Sequence, residues 1–287
     1  MLDRLSRSAE AVARRVVELE PFPQPPLRPT RYPVVLMHGF GALANLVQGG
    51  VLHNEAMHLR AHGVAAYAPH VNPYDTIAVR AATWRERIER VRLETEAERV
   101  NLVAFSSAGL DARYLVGSLG YAPHVAALVT VSAPHRGSAI VQYLLDQPER
   151  LREAAVGWMS FLGRAAYETA PPHAGDGLAE LTPAYVEGTF NPAHPMPDGI
   201  YCASYAGRAG RGTDVPISPA LALPNRILYR RGGVNDGLVT VESAAWGTEL
   251  GILEADHARQ VGLGRTAGFD AKAFYLSVAA HLRAEGL

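Results

Sequence analysis

The chain has 287 residues, 48% of them hydrophobic and 19% charged, and its 27 Lys and Arg stand against 28 Asp and Glu for a formal net charge of −1. That length can bury a full core, and the balanced charge leaves no surplus of basic residues to attract a polyanion, so nucleic acid is not an expected partner. The single cysteine, Cys202, rules out an intrachain disulfide and leaves the fold to packing and hydrogen bonds.

Leu2, Leu5, Val12, Val16 and Leu19 recur at roughly helical spacing, with Arg4, Arg7, Arg14 and Arg15 between them. The pattern predicts an amphipathic helix over the first twenty residues, which packs on the body of the protein or meets a partner or membrane surface. Its arginines interrupt the continuous apolar core a secretory signal needs, and no later stretch is apolar for long enough to span a bilayer. The compartment stays open, because a cytoplasmic chain and one exported without an N-terminal mark read alike. Pro21, Pro23, Pro25, Pro26 and Pro29 then predict an extended connector. The expected division is residues 1–30, helix and connector, followed by one domain over 31–287.

Within that domain, short apolar runs alternate with longer amphipathic ones. YPVVLMH, VAAYAP, VNLVAF, VAALVTVSAP, RILYR and LGILEA read as strands, and residues 45–62, 76–98, 107–119 and 270–284 as helices. The charged run WRERIERVRLETEAER fits a solvated helix face. Alternation of this kind is the mark of a parallel sheet built from βαβ units.

Four turns carry the residues with chemistry. VNLVAFSSAGLDARYLV reads as strand, sharp turn and helix, with a serine at the junction where a nucleophile elbow sits. Such a turn needs small residues two before and two after the nucleophile. Ser106 has Ala104 and Ala108 there, whereas Ser107 would have Phe105, so Ser106 is the candidate nucleophile. The bland alternative is a serine capping the helix that follows. YPVVLMHGFG ends in a glycine-punctuated turn, and the backbone N–H groups of Phe40 and Ser107 are the candidate oxyanion donors. His38, preceding Gly39 at the strand end, reads as structural. Asp236 in GGVNDGLV and His257 in LGILEADHARQ follow late predicted strands in the order Ser, Asp, His, which makes them candidate acid and base. Asp236 also reads as a plain turn residue, and Asp256 as a loop carboxylate.

These segments, with VAALVTVSAPHRGS, LAELTPAYVEGTFN, GIYCASYAG and NDGLVTVESAAWG, together resemble the bacterial triacylglycerol lipases of the Pseudomonas, Burkholderia and Proteus type from Tyr32 onward. The resemblance implies an α/β-hydrolase fold, a mostly parallel central sheet flanked by helices, with a helical lid or insertion over about 138–200. It implies Ser106, Asp236 and His257 as triad, Phe40 and Ser107 as oxyanion donors, and His135 and Arg136 near the site without a part in the chemistry. It also implies an ester or lipid substrate met at an interface, with no organic cofactor. Val156, Trp158, Met159, Phe161 and Leu162 suit either a lid or an ordinary packed helix.

The chain departs from that family at the elbow, where Ala104 and Ala108 stand in place of glycines and Phe105 in place of histidine, and where Phe105 and Ser107 alter the wall beside the nucleophile. It departs again where the family holds calcium, since Arg259 and Leu263 occupy positions of an aspartate and a glutamine. A guanidinium repels a cation, so no metal is expected, and Arg259 is expected to pair with Asp214 instead. The function these readings imply is hydrolysis of carboxylic esters. An acyl thioesterase or acyltransferase using the same triad, and a silent hydrolase fold used as a binding module, are the alternatives.

Overall fold

The computed structural model describes residues 25–39, 50–150, 174–263 and 268–287. The helix expected over 1–20 and the apolar cluster over 156–162 lie outside them, as does Phe40.

Six strands form one parallel sheet in the order β2-β1-β3-β4-β5-β6. They are β1 Val34–Met37, β2 Ala66–Tyr67, β3 Val100–Phe105, β4 Val125–Val131, β5 Tyr201–Gly207 and β6 Thr248–Leu253. The central strands are apolar on both sides because helices cover both faces. Val34 and Leu36 point to one face, where α1 (His53–Ala61) and α7 (Ala271–Ala284) supply Ala56, Leu59, Tyr275 and Val278. Val35 and Met37 point to the other, against Trp84 and Ile88 of α2 (Ile77–Thr95) and Ala112 and Leu115 of α3 (Ala108–Gly117). Alternation along a strand thus feeds two cores from one run of residues.

The chain between β4 and β5 begins with α4 (Ala139–Leu145) and resumes with α5 (Ala174–Ala179) and helical turns over 183–193. Leu178, Val186 and Phe190 pack there on Ile77, Leu110 and Val141. Arg113 of α3 fastens the far end: its guanidinium lies 5.0 Å from the Phe190 ring and 5.3 Å from the Trp246 ring, and it donates to Asn191 Oδ1 and the His194 carbonyl.

The sequence reading is wrong at one strand. RILYR lies in the second half of α6 (Pro219–Gly232), and the strand it was expected to supply is β5, in the segment GIYCASYAG. Leu221, Asn225 and Leu228 are the buried residues of α6, a spacing of four and three that a helix produces and a strand does not. Cys202 sits on β5, buried, with its thiol pushed up to about 12 mainly by that burial. Among the described residues no helix is long and apolar enough to cross a membrane.

Candidate active site

Strand β3 ends at Phe105, and α3 begins at Ala108, so Ser106 and Ser107 form the junction between them. Ser106 has φ 59°, in the left-handed region that a residue with a Cβ seldom occupies. Ala104 and Ala108 on either side are fully buried, which is why only small residues fit there. Its backbone is held to the neighbouring strand by a hydrogen bond from the Ser106 N–H to the Val131 carbonyl, 2.8 Å.

The turn after β1 approaches this junction closely. A Cβ at Gly39 would lie 2.7 Å from Ser106 Cβ and 2.8 Å from the Ser107 nitrogen, so glycine is what lets the two loops meet. His38 before it is buried, and burial drives its imidazole down to about 3. Because the Val71 N–H donates to His38 Nε2 at 3.3 Å, the proton sits on Nδ1 and is donated to the Gly39 carbonyl. His38 therefore holds this loop as a neutral ring.

His257 lies just past β6, in a turn closed by the short helix Arg259–Val261. Its Nε2 is 2.9 Å from Ser106 Oγ, and its Nδ1 is 2.7 Å from Asp236 Oδ2. One continuous hydrogen-bonded path thus joins the three residues. The ring of Phe105, in the elbow, packs 4.6 Å from the His257 ring, which removes one face of the imidazole from water.

Asp236 is buried in a tight turn after α6, and its Oδ1 accepts from the Leu238 and Val239 N–H groups at 3.0 and 2.8 Å. Burial pushes its carboxyl up, but His257 and these two N–H groups more than offset that and hold it below the ordinary carboxylate value. The turn is itself anchored: Asn225 of α6 donates to Asn235 Oδ1 at 2.8 Å, and Asn235 Oδ1 also accepts from the Gly237 N–H at 2.9 Å.

Other sequence-derived expectations resolve differently. Arg259 does not take Asp214: its Nη1 donates to the Pro216 carbonyl at 2.7 Å, and its Nε faces Asp256 Oδ2 at 3.3 Å. Asp214 lies two residues before Pro216, and the carboxylate that faces Arg259 is Asp256 on its own turn. The same Asp256 oxygen accepts from the N–H and Oγ–H of Ser218, at 2.7 and 2.6 Å, so this loop carboxylate is a structural tie. A calcium ion does not fit these residues, since the carboxylate at hand is already taken by donors and a guanidinium stands beside it. His135, fully buried, is stacked on Trp246 and bonded to Thr130, and Arg136 Nη1 reaches the Ala245 carbonyl at 3.0 Å, so both make structural ties.

Two arrangements were not foreseen. Arg80 of α2 is buried beneath the elbow, where its Nη2 donates to Ser107 Oγ at 2.8 Å and to Asp111 Oδ2 at 2.5 Å. Gln260 donates to Asp236. A lone arginine in the apolar stretch IAVRAAT, ahead of the charged run, is the only visible hint of the first, and nothing in the spacing hints at the second.

The chain and its fold are similar to those of known lipases and esterases. A triacylglycerol lipase of Pseudarthrobacter phenanthrenivorans is 32% identical over 124 residues, covering 41% of this chain and 37% of that protein. Triacylglycerol lipase 2 of Saccharomyces cerevisiae is 26% identical over an alignment of 278 residues that covers 80% of each chain. Among solved structures, a metagenomic carboxyl esterase superposes with a TM-score of 0.72 at 21% identity, over 93% of this chain and 79% of that one. The fold is that of the α/β-hydrolases. A Bacillus licheniformis lipase in its mature form superposes with a TM-score of 0.59 at 20% identity, over 82% of this chain and 89% of its own. No family model matches the chain.

Proposed function

We propose that this protein is a serine hydrolase that cleaves carboxylic esters through an acyl-enzyme, with Ser106 as nucleophile, His257 as base and Asp236 as the acid that orients it. The observation that carries this reading is the path from Ser106 Oγ through His257 to Asp236, 2.9 and 2.7 Å, ending on a buried carboxylate. His257 Nε2 takes the Ser106 proton as Oγ attacks the ester carbonyl, and returns it to the departing alcohol. Water then enters along the same path and releases the acid. Asp236 holds the proton on Nδ1, leaving Nε2 free to accept. The Ser107 N–H, at the start of α3, and the N–H of Phe40 are assigned to the oxyanion, each donor worth roughly 3 kcal/mol in the transition state.

The relatives' names favour a lipid ester as substrate, and the resemblance of the motif set from Tyr32 onward supports reading the chain as akin to the Pseudomonas, Burkholderia and Proteus type of triacylglycerol lipase. The insertion over about 138–200 is assigned as the acyl-chain wall and lid, hung on a domain of 31–287, with residues 1–30 appended to it. Hydrolysis of p-nitrophenyl esters from acetate to palmitate tests the reading. Wild-type protein should turn over these esters and Ser106→Ala should lose at least about a thousandfold in kcat. A Ser106→Ala variant at wild-type rates removes the nucleophile assignment, and a maximum at acetate removes the lipid preference.

A further inference from the structure

Asp236 Oδ2, the oxygen bonded to His257, has a second donor. Gln260 is buried in the short helix Arg259–Val261, and its Nε2 lies 3.0 Å from Asp236 Oδ2 and 3.3 Å from the Ala255 carbonyl. Both amide protons are therefore spent, one on the acid and one on the backbone of the histidine loop. Its Oε1 is buried with no hydrogen-bond partner. Turning the amide over would set that oxygen against a carboxylate, so the donor must face Asp236 and the orphaned acceptor is the consequence.

Room for this amide is made on a third element. At the end of β5, a Cβ on Gly207 would lie 2.0 Å from Gln260 Nε2 and 3.0 Å from Asp236 Cβ. A glycine, an amide and a carboxylate from three separate segments thus interlock, and a buried acceptor goes unmatched to allow it.

We propose that Gln260 is a positioning residue of the hydrolytic site: its amide fixes the rotation of the Asp236 carboxylate and shares the oxygen that His257 Nδ1 uses. The proposal rests on the triad reading above. With the amide present, the negative charge on Oδ2 is divided between two donors. Without it the charge bears on the imidazole alone, which strengthens the imidazolium form and leaves the carboxylate free to swing. The other charged groups nearby pair among themselves, Asp256 with Arg259 on the same turn and Arg208 with Glu254 beyond β5 and β6, and the test alters none of them.

The test is the pH dependence of kcat/KM on a p-nitrophenyl ester, with thermal melts, for Gln260→Met, Gln260→Glu and Gly207→Ala. Gln260→Met removes the donor and the orphaned acceptor together, so its melting temperature should hold or rise. Its kcat should fall about tenfold with KM within about twofold, and its acid limb should move up by about half a pH unit or more. Gln260→Glu, with a second carboxyl beside the first, should move that limb further the same way. Gly207→Ala, by displacing the amide, should reproduce the shift and carries the expectation if Gln260→Met does not fold. An unmoved acid limb in folded Gln260→Met and Gly207→Ala overturns the proposal, whatever happens to kcat. Activity surviving in Ser106→Ala would instead overturn the triad itself, a separate result.

Discussion

One methyl group separates glycine from alanine at position 39, and the structure has no space for it between β1 and the elbow, where it would meet Ser106 Cβ at 2.7 Å. Gly39→Ala must displace the end of β1 from Ser107, and on the proposed reading misplacing one oxyanion donor costs about a hundredfold or more in kcat. Steady-state kinetics on a short ester should show that loss with little change in KM; a near wild-type kcat would mean that the two turns do not share the oxyanion. At this scale the sequence was informative wherever function needs a small residue. Ala104 and Ala108 singled out Ser106 over Ser107 because the residues two before and two after such a turn are buried where strand and helix approach, and a bulky side chain does not fit there. Gln260 was not legible, since its contact with Asp236 joins residues 24 positions apart and no spacing rule connects an amide with a carboxylate at that separation.

Between elements, the contact with most at stake is the buried ion pair joining α2 to α3. Arg80 and Asp111 are nearly or wholly inaccessible, and Asp111 is pushed up to about 6 by burial with Arg80 pulling against it. Removing one partner strands the other, a loss of about 3 kcal/mol or more, whereas an apolar pair of similar volume can recover much of it. Urea unfolding should therefore rank Arg80→Met well below wild type and the double variant Arg80→Met/Asp111→Leu above the single. A double variant as unstable as the single would show that the pair is not the source of the loss. Elements were legible where apolar residues recur over many turns, as in α2 and α7, or fill a whole strand, as in β3 and β4. RILYR misled because Ile227, Leu228 and Tyr229 suit a strand as well as a helix. The apolar face that makes it helical starts at Leu221, outside that five-residue window. β5 went unmarked for the opposite reason, since its alanines, serine and glycine carry little strand preference and owe their conformation to two flanking strands.

Across the whole molecule, buried histidines set how the fold answers acid. His38 is held neutral down to about 3 against an ordinary 6.5, and burial also drives His135 well below that value. The unfolded chain takes up these protons first as the pH falls, so their contribution is whole above 6.5 and is lost between there and about 3 for His38. Asp236, held low, is lost in the same direction, while Asp111, raised, opposes them between 6 and its ordinary 3.8. Melts from pH 7 to 4 should show a falling melting temperature for the wild type and a shallower fall for His38→Gln, whose amide offers one donor and one acceptor to the same backbone groups. Parallel slopes would place the acid sensitivity elsewhere. The single thiol has a different consequence for the molecule. Cys202 is enclosed in the sheet and stays protonated across the working pH range, so the native protein should be inert to maleimides. Any cysteine introduced on the surface would then be the sole labelling point, and a fluorophore could be placed on the insertion without first rebuilding the core.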